Sequence, residues 1–331
     1  MPEEAPLSAA RRGDEVAFRE LVAPHRRELR AYCYRMAGSL EDADDLLQES
    51  LLRAWRGLAT FEGRSSLRTW LYRVTWSACV DGLEGKAQRM LPIDLGPPSD
   101  ENEPMPPPRL DGWLGPCPAS LYVDDAPSPE ARYSGRESVA LAFLAALQLL
   151  PPKQRALLIA RDVVGWSSEE CAEWLGTTVT AVNSALQRAR ETMDAKRGGW
   201  SALPVEDETT RALVARYVAA WESADVTALV ALLHEDATLS MPPIPLWLRG
   251  PRSIGASLRA MVLPPEARGV FRLVPTEANG LPSLATYQKG PDGAFAAASL
   301  QLLEIAGSQV RAMTAFLDPT LLARFGSPER L

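Results

Sequence analysis

Residues 167–193 read SSEECAEWLGTTVTAVNSALQRARETM, and this stretch decides the fold of the middle of the chain. Ser167 or Ser168 can cap a helix whose acids Glu169 and Glu170 lie in the first turn, where unpaired backbone N–H groups favour negative charge. The helix runs through Cys171, Ala172 and Leu175, and Gly176 stops it. Thr177 and Thr178 supply a turn and cap for a second helix from Val179, on which Val182, Leu186, Ala189 and Met193 share one packing stripe. The opposite side presents Thr180, Ser184 and Gln187, flanked by Asn183 and Arg188. Such a helix pair, with a short Gly-containing turn and a polar outer face, has the geometry that enters a DNA major groove. Asn and Gln can bond adenine bidentately and Arg can bond guanine, so Thr180, Asn183, Ser184, Gln187 and Arg188 are the base-reading candidates. Arg188, Arg190, Lys196 and Arg197 suit phosphates. Glu191 would repel them and ends the contact. The same pattern also describes a plain helical hairpin with a solvated face.

Working outward, the 331 residues suffice for two or three domains, and the apolar content supports real cores. The four cysteines (33, 79, 117, 171) form no C-x-x-C pair and have only His25 and His234 as possible co-ligands, so no metal or other cofactor is expected. No apolar run is long enough to span a bilayer and the N-terminus has no signal-peptide layout, which predicts a cytoplasmic protein without membrane contact.

The formal charge of −7 is unevenly placed. Residues 91–130 hold eleven prolines and eight acids against Arg109 alone, so this linker carries the whole net charge. Before it, residues 1–90 show helical spacing, which returns near residue 135 and continues to 197. A last block has helical segments at 206–223 and 226–234. Alternating or β-branched segments follow at 236–241, 268–276, 282–288, 294–305 and 308–316, the pattern of an α+β domain.

In the first block, residues 40–58 (LEDADDLLQESLLRAWRGL) pack through Leu47, Leu51, Ala54 and Leu58 and display Asp42, Asp44, Asp45, Gln48 and Glu49. After Phe61-Glu62-Gly63-Arg64-Ser65-Ser66 comes the helix RTWLYRVTWSACVDGL. Its expected buried stripe is Leu67, Leu71, Val74 and Ala78, with Thr69, Arg73 and Trp76 on the far side. An exposed tryptophan beside arginine suits stacking on an unpaired base. Equally, Trp70 and Trp76 can fill a helical core.

Taken together, these segments resemble the extracytoplasmic-function (ECF) group of bacterial sigma-70 factors. DADDLLQESLLRAWRG is similar to the region 2 helix that grips the clamp helices of the polymerase β′ subunit, which implies a core-binding role for Asp42, Asp44, Asp45, Gln48 and Glu49. FEGRSSLRTWLYRVTWSAC resembles the segment that melts and reads the −10 element, implying roles for Phe61, Arg64, Ser65, Thr69, Arg73, Trp76 and Ser77. Ser77 stands where the family commonly has Asn. The block around the opening stretch, from LPPKQRALL onward, resembles region 4, which reads the −35 element and touches the β flap. In such factors the linker threads the basic channel of polymerase, where an acidic, proline-stiffened segment can mimic nucleic acid; a solvated tether is the alternative. Within it Trp113-Leu114-Gly115-Pro116 resembles a W-L-x-P element, which points to Trp113 and Leu114 as a docking point.

The last block resembles a SnoaL-like domain of the NTF2-like cone fold, through RYVAAWESADVTALVALLHEDATLSMPP and the W-L-R-G-P that follows. The expected architecture is thus multidomain: an all-α region 2 bundle (1–90), the acidic Pro-rich linker (91–134), an all-α region 4 helix-turn-helix domain (135–197), an α+β SnoaL-like cone domain (206–317) and a tail (318–331). Implied partners are core RNA polymerase, through the β′ clamp helices and β flap, and promoter DNA. A further expectation is an intramolecular contact through which the cone domain regulates the sigma domains. Relatives of the cone include enzymes, but acid–base candidates are sparse: His234 at an expected helix end, Glu235, Asp236, Tyr217, Tyr287 and Glu304. Trp221, Met241, Trp247 and Phe271 can line an apolar pocket or an ordinary core. No catalytic residue is therefore assigned, and an enzyme or a ligand-sensing domain tethered to a DNA-binding module is the competing reading.

Overall fold

A computed structural model describes residues 4–100, 104–122, 137–196 and 208–331. They divide into two compact units. One holds the described residues up to 89, with 120–122, 137–138 and 142–196; the other holds the described parts of 90–119, residues 139–141 and 208–331.

The first unit is all helical. Its N-terminal part contains α1 (Glu4–Arg11), α2 (Glu15–Val22), α3 (Arg26–Ala37), α4 (Leu40–Gly57) and α5 (Leu67–Leu83). Local chemistry sets the boundaries. The Ser39 and Ser66 hydroxyls accept from the third backbone N–H of α4 and α5, and the Asp14 carboxylate caps α2 in the same way. Between α4 and α5 the fit is tight enough that a Cβ on Gly82 would lie 2.7 Å from Leu46 Cδ2. The expected stripe on α5 proves too narrow: Leu67, Leu71, Tyr72, Thr75, Ala78, Cys79, Val80 and Leu83 are all buried, whereas Val74 is half-buried. The reason is tertiary, since α5 lies between α3 and α4 on one side and the second helical block on the other.

That second block comprises α6 (Leu141–Gln148), α7 (Pro152–Asp162), α8 (Ser168–Leu175) and α9 (Val179–Lys196). Arg155 of α7 is 5% exposed. Its guanidinium donates to the Met36 carbonyl at the end of α3, to Gln148 Oε1 at 2.8 Å, and to the Gln148 and Leu150 carbonyls at 3.0 and 3.1 Å. Burial pushes its pKa down to about 10, which leaves it charged at neutral pH. A buried cation is tolerated only with such a ring of acceptors, so Arg155 fixes where α7 meets α3.

In the second unit α10 (Glu208–Glu222), α11 (Val226–Val230) and α12 (Pro251–Met261) pack on a six-stranded sheet. The strands are β1 (Leu233–Ser240), β2 (Trp247–Arg249), β3 (Phe271–Ala278), β4 (Leu281–Lys289), β5 (Phe295–Ala306) and β6 (Gln309–Phe316), in the order β2-β1-β6-β5-β4-β3. Only β1 and β6 pair in parallel. One sequence expectation needs correcting, and two features were not anticipated. The second helix ends at Val230 rather than 234, so His234 lies in β1 and not at a helix end. Trp247 belongs to a strand of three residues, too short to show alternation. The tail contains a further helix, α13 (Leu321–Arg324), and its last residues pair with β5 through Leu331 N and Phe295 O at 2.9 Å.

Part of the linker belongs to this unit. Asn279 sits in the turn between β3 and β4 with a left-handed φ of 52°, fully buried. Its Oδ1 accepts from Cys117 N at 2.9 Å, its N–H donates to Cys117 O at 3.0 Å, and its Nδ2 donates to Val139 O at 2.6 Å. Further along, Ser99 N donates to Trp247 O and Arg109 N to Pro243 O, each at 2.8 Å, while the Trp247 indole donates to Gly96 O at 3.0 Å. Trp113 and Leu114 are buried, with the Trp113 indole donating to Arg109 O. The linker residues 101–103 and 123–134, including five of its eight acids, lie outside the described residues.

Replacing the buried guanidinium tests its importance. Arg155→Met strands several buried carbonyls and is expected to lower the stability of the helical unit by about 2–4 kcal/mol. The exposed control Arg188→Met should stay within about 0.5 kcal/mol. Urea unfolding followed by near-ultraviolet circular dichroism measures both.

Candidate nucleic-acid interface

The helix-turn-helix forms as its chemistry dictates. Ser167 Oγ accepts from Glu170 N at 3.1 Å and the Glu170 carboxylate accepts from Ser167 N at 2.7 Å, a reciprocal cap on α8. Gly176 takes the left-handed conformation, φ 61°, that turns the chain, and Thr178 Oγ1 accepts from Ala181 N at 3.2 Å to start α9. Val182, Leu186, Ala189 and Met193 are buried, and Thr180, Asn183, Ser184, Gln187 and Arg188 are all exposed on one side of α9. Two of these side chains already have neighbours: Ser168 Oγ meets Asn183 Oδ1 at 2.9 Å, and Gln187 Nε2 donates to Glu191 at 3.0 Å. Both are surface contacts that exchange readily for a base edge. Arg190 is engaged by Asp162 at 2.6 Å, which raises its pKa and leaves it less suited to phosphates than its sequence position suggests. Arg197 and the Lys196 side chain lie outside the described residues.

The acidic face of α4 is partly neutralised from within. Asp42 pairs with Arg89 at 2.6 Å and Lys86 at 3.5 Å, Asp44 with Arg30 at 2.5 Å, and Glu49 with Arg53 at 2.7 Å. Asp45 and Gln48 are exposed. These pairs orient the carboxylates; Asp44 and Glu49 stay open to solvent, whereas Asp42 is largely covered.

The largest departure from expectation concerns α5 and the loop before it. Phe61 is buried: its ring packs against Trp70 at 5.1 Å, and its carbonyl accepts from Arg11. The Phe61–Trp70 pair thus serves as core under the turn. Arg64 is exposed beside Glu62, Ser65 and Ser77 are half-buried, and Thr69 Oγ1 lies 2.9 Å from Ser66 Oγ within the cap of α5. Trp76 does not stand out in solvent. It packs edge-on against Trp174 of α8 at 4.9 Å, and its indole nitrogen is buried without a hydrogen bond. Trp174 meets Trp166 at 4.9 Å, Trp166 meets Tyr72 at 5.9 Å, and Tyr72 meets Tyr32 at 5.6 Å. At the rim, Arg73 donates to Glu173 of α8 at 3.0 Å. The side chains expected to meet a melted strand, Arg73 and Trp76, are therefore covered by the first helix of the helix-turn-helix. Sequence periodicity missed this cover. Its one signal was Trp174 itself, a large ring outside the Cys171, Ala172 and Leu175 stripe of a short helix.

Among the described residues, no cluster of His, Cys, Asp and Glu suits a metal, and no helix is long and apolar enough to cross a membrane.

Comparison with known proteins agrees with both helical blocks. The family profiles Sigma-70 region 2 and Sigma-70, region 4 match residues 21–89 and 140–193. The chain is 44% identical to the ECF RNA polymerase sigma factor SigG of Mycobacterium tuberculosis over 97% of its own length and 86% of the relative's. It is 30% identical to SigM of the same species over 56% of this chain and 79% of that one. The crystal structure of the M. tuberculosis extracytoplasmic function sigma factor SigJ is similar in fold, with a TM-score of 0.59 and 24% identity, covering 92% of this chain and 97% of that one.

If the exposed side of α9 reads a duplex, Asn183→Ala and Gln187→Ala should each cost about 1–3 kcal/mol against the preferred site and relax the preference at one base pair. Electrophoretic mobility shifts with a randomised duplex pool measure this.

Proposed function

This chain belongs to the extracytoplasmic-function group of sigma-70 RNA polymerase sigma factors, and we propose that its second helical block holds it closed until core polymerase separates the two blocks. Factors of this family bind core polymerase and promoter DNA to initiate transcription. In this reading Asp42, Asp44, Asp45, Gln48 and Glu49 meet the β′ clamp helices. Thr180, Asn183, Ser184, Gln187 and Arg188 read the −35 element. Arg64, Ser65, Thr69, Arg73, Trp76 and Ser77 approach the −10 strand, with Phe61 supporting them from the core.

The observation that carries the proposal is the Trp76–Trp174 contact with its Arg73–Glu173 rim. Stacking a flipped or unpaired base needs a free aromatic face, and guanidinium contacts to phosphate need a free guanidinium. Both are occupied by α8. The two aromatic pairs that join the blocks, Trp76–Trp174 and Tyr72–Trp166, contribute on the order of 1–3 kcal/mol beyond area burial. The solvent-exposed ion pair adds at most about 1 kcal/mol. Arg155 on the Met36 carbonyl and Arg35 on Ser138 add further ties. A large polymerase interface can supply energy of this size and free both groups before a strand arrives, so DNA reading waits on core binding.

The C-terminal domain takes a regulatory part by holding the linker. An acidic linker bound at Asn279, Pro243 and Trp247 is not available to a basic channel, and it becomes so on leaving those carbonyls and that amide. No catalytic step is assigned to this domain. His234 Nδ1 accepts from Asp236 N at 3.1 Å, Asp236 pairs with Arg249 at 2.8 Å, and the Tyr287 hydroxyl donates to Pro328 O at 3.0 Å. These groups, with Glu235 and Glu304, are absent from the lining of the domain's cavity.

In the full-length chain without polymerase, Trp174→Ala is expected to raise affinity for a pool of fluorescent single-stranded oligonucleotides at least fivefold by anisotropy. Adding Trp76→Ala should remove the gain. Unchanged binding by a folded Trp174→Ala variant overturns the closed state, and absence of any transcript from core polymerase across a promoter library overturns the function itself. For the linker, Asn279→Ala should speed tryptic cleavage after Arg109 about tenfold or more relative to wild type.

A further inference from the structure

The polar side of α9 also carries a carboxylate. Glu191 is exposed, stands four residues beyond Gln187, and lines the same cleft as Ser168, Asn183, Gln187, Arg161 and Arg190. Residues at this spacing are neighbours on a helix surface. The charge of Glu191 repels phosphate, which is the effect its sequence position announces. Its contact adds a second effect, because Gln187 Nε2 donates to Glu191 Oε1 at 3.0 Å.

The two ends of a primary amide have nearly the same shape and opposite hydrogen-bonding sense: the oxygen accepts and the nitrogen donates. Half a turn about the last side-chain bond exchanges them, so an unheld glutamine offers a base either end. An ionised carboxylate only accepts. Glu191 therefore selects the orientation with Nε2 on its own side and Oε1 turned away. As a surface contact the bond adds little to stability, but it decides between two orientations of otherwise similar energy. A hydrogen bond to a charged group biases such a choice by about fivefold or more. Gln187 need not give up this bond to meet a base, since Oε1 and the second N–H remain, now in a fixed order. Asn183 supplies the contrast. Its neighbour is the Ser168 hydroxyl, 2.9 Å from Oδ1, and a hydroxyl either donates or accepts, so that amide is free to turn.

In the major groove adenine presents a donor at N6 beside an acceptor at N7, whereas guanine presents acceptors at both O6 and N7. An amide that offers its oxygen and one N–H side by side matches adenine at both atoms. Against guanine the held oxygen meets another oxygen, and the amide binds only by turning over and breaking its bond to Glu191.

We propose that Glu191 is a positioning residue for promoter recognition: by holding the Gln187 amide with Oε1 turned away from the carboxylate, it makes Gln187 select adenine over guanine at one base pair. This rests on the reading of the −35 element by α9 proposed above. The carboxylate thus lowers affinity for DNA in general and raises discrimination at that pair, in part by penalising the wrong base.

The test uses the full-length chain assembled with core polymerase and promoter duplexes randomised over the upstream element. Gln187→Ala first identifies the pair that Gln187 reads, as the position where the preference flattens. At that pair, adenine·thymine is compared with hypoxanthine·cytosine, in which an oxygen replaces the N6 donor and N7 is kept. The wild-type chain is expected to prefer adenine about fivefold or more. Glu191→Ala should reduce this preference to within about twofold, while affinity for unrelated duplex rises. Glu191→Lys, whose ammonium only donates, should draw Oε1 to itself and invert the preference toward hypoxanthine. Both changes should be confined to the pair that Gln187 reads. An adenine preference that survives at wild-type strength in either folded variant, or a wild-type preference for hypoxanthine, overturns the positioning role. A loss spread evenly over all pairs overturns it too, since that is the mark of a general charge effect. If Gln187→Ala flattens no position, the reading of the −35 element by Gln187 itself fails, which keeps the two failures apart.

Discussion

A buried cation must be ringed by acceptors, and Arg155 is where the helical half of this protein meets that demand. Its guanidinium takes carbonyl oxygens from the end of α3 and from the turn before α7. An apolar contact would let the two helical blocks slide over one another. Directional hydrogen bonds from a fully desolvated group permit one register only. Once α7 is set on α3, α8 follows through a short turn, and Trp166 in that turn and Trp174 on α8 reach α5. The aromatic ladder from Tyr32 to Trp76 is thus a consequence of the arginine's position as much as of its own packing.

On the proposed reading, the residues that serve DNA also serve closure, because the chemistry is the same. An indole that stacks well on a base stacks well on another indole, and a guanidinium that seeks phosphate accepts a carboxylate. On that reading Glu173 and Trp174 take the places of a phosphate and a base. Opening then has a cost that a melted strand would later offset in part, because one set of contacts is exchanged for another of similar kind.

Asn279 plays the corresponding part in the C-terminal half. The turn between β3 and β4 needs a left-handed residue, which Asn tolerates, and its side-chain Oδ1 and Nδ2 together with its backbone N–H then bond the backbone of Cys117 and Val139. A linker that carries the net charge of the chain is in this way held by neutral backbone contacts. Such contacts place the chain without cancelling its acids.

Much was legible in the sequence. Helical periodicity, the Ser167 cap, the Gly176 stop and the polar side of α9 are local features, fixed by spacing and by backbone preference within a turn or two. The β3-to-β6 run was likewise visible through alternation. What the tertiary structure decided is whatever depends on residues distant along the chain. Periodicity in α5 cannot reveal that Trp76 is covered, because the covering residue lies about 100 positions away. The end of α11 and the strand of His234 depend on pairing with β6, which no local signal announces. For the helix-turn-helix of residues 167–193, the amino-acid sequence determined its shape and which side of its second helix stays polar and exposed. Only the tertiary structure decided that its first helix turns inward, because burying Trp166 and Trp174 against Tyr72 and Trp76 removes more apolar surface from water than leaving them apart.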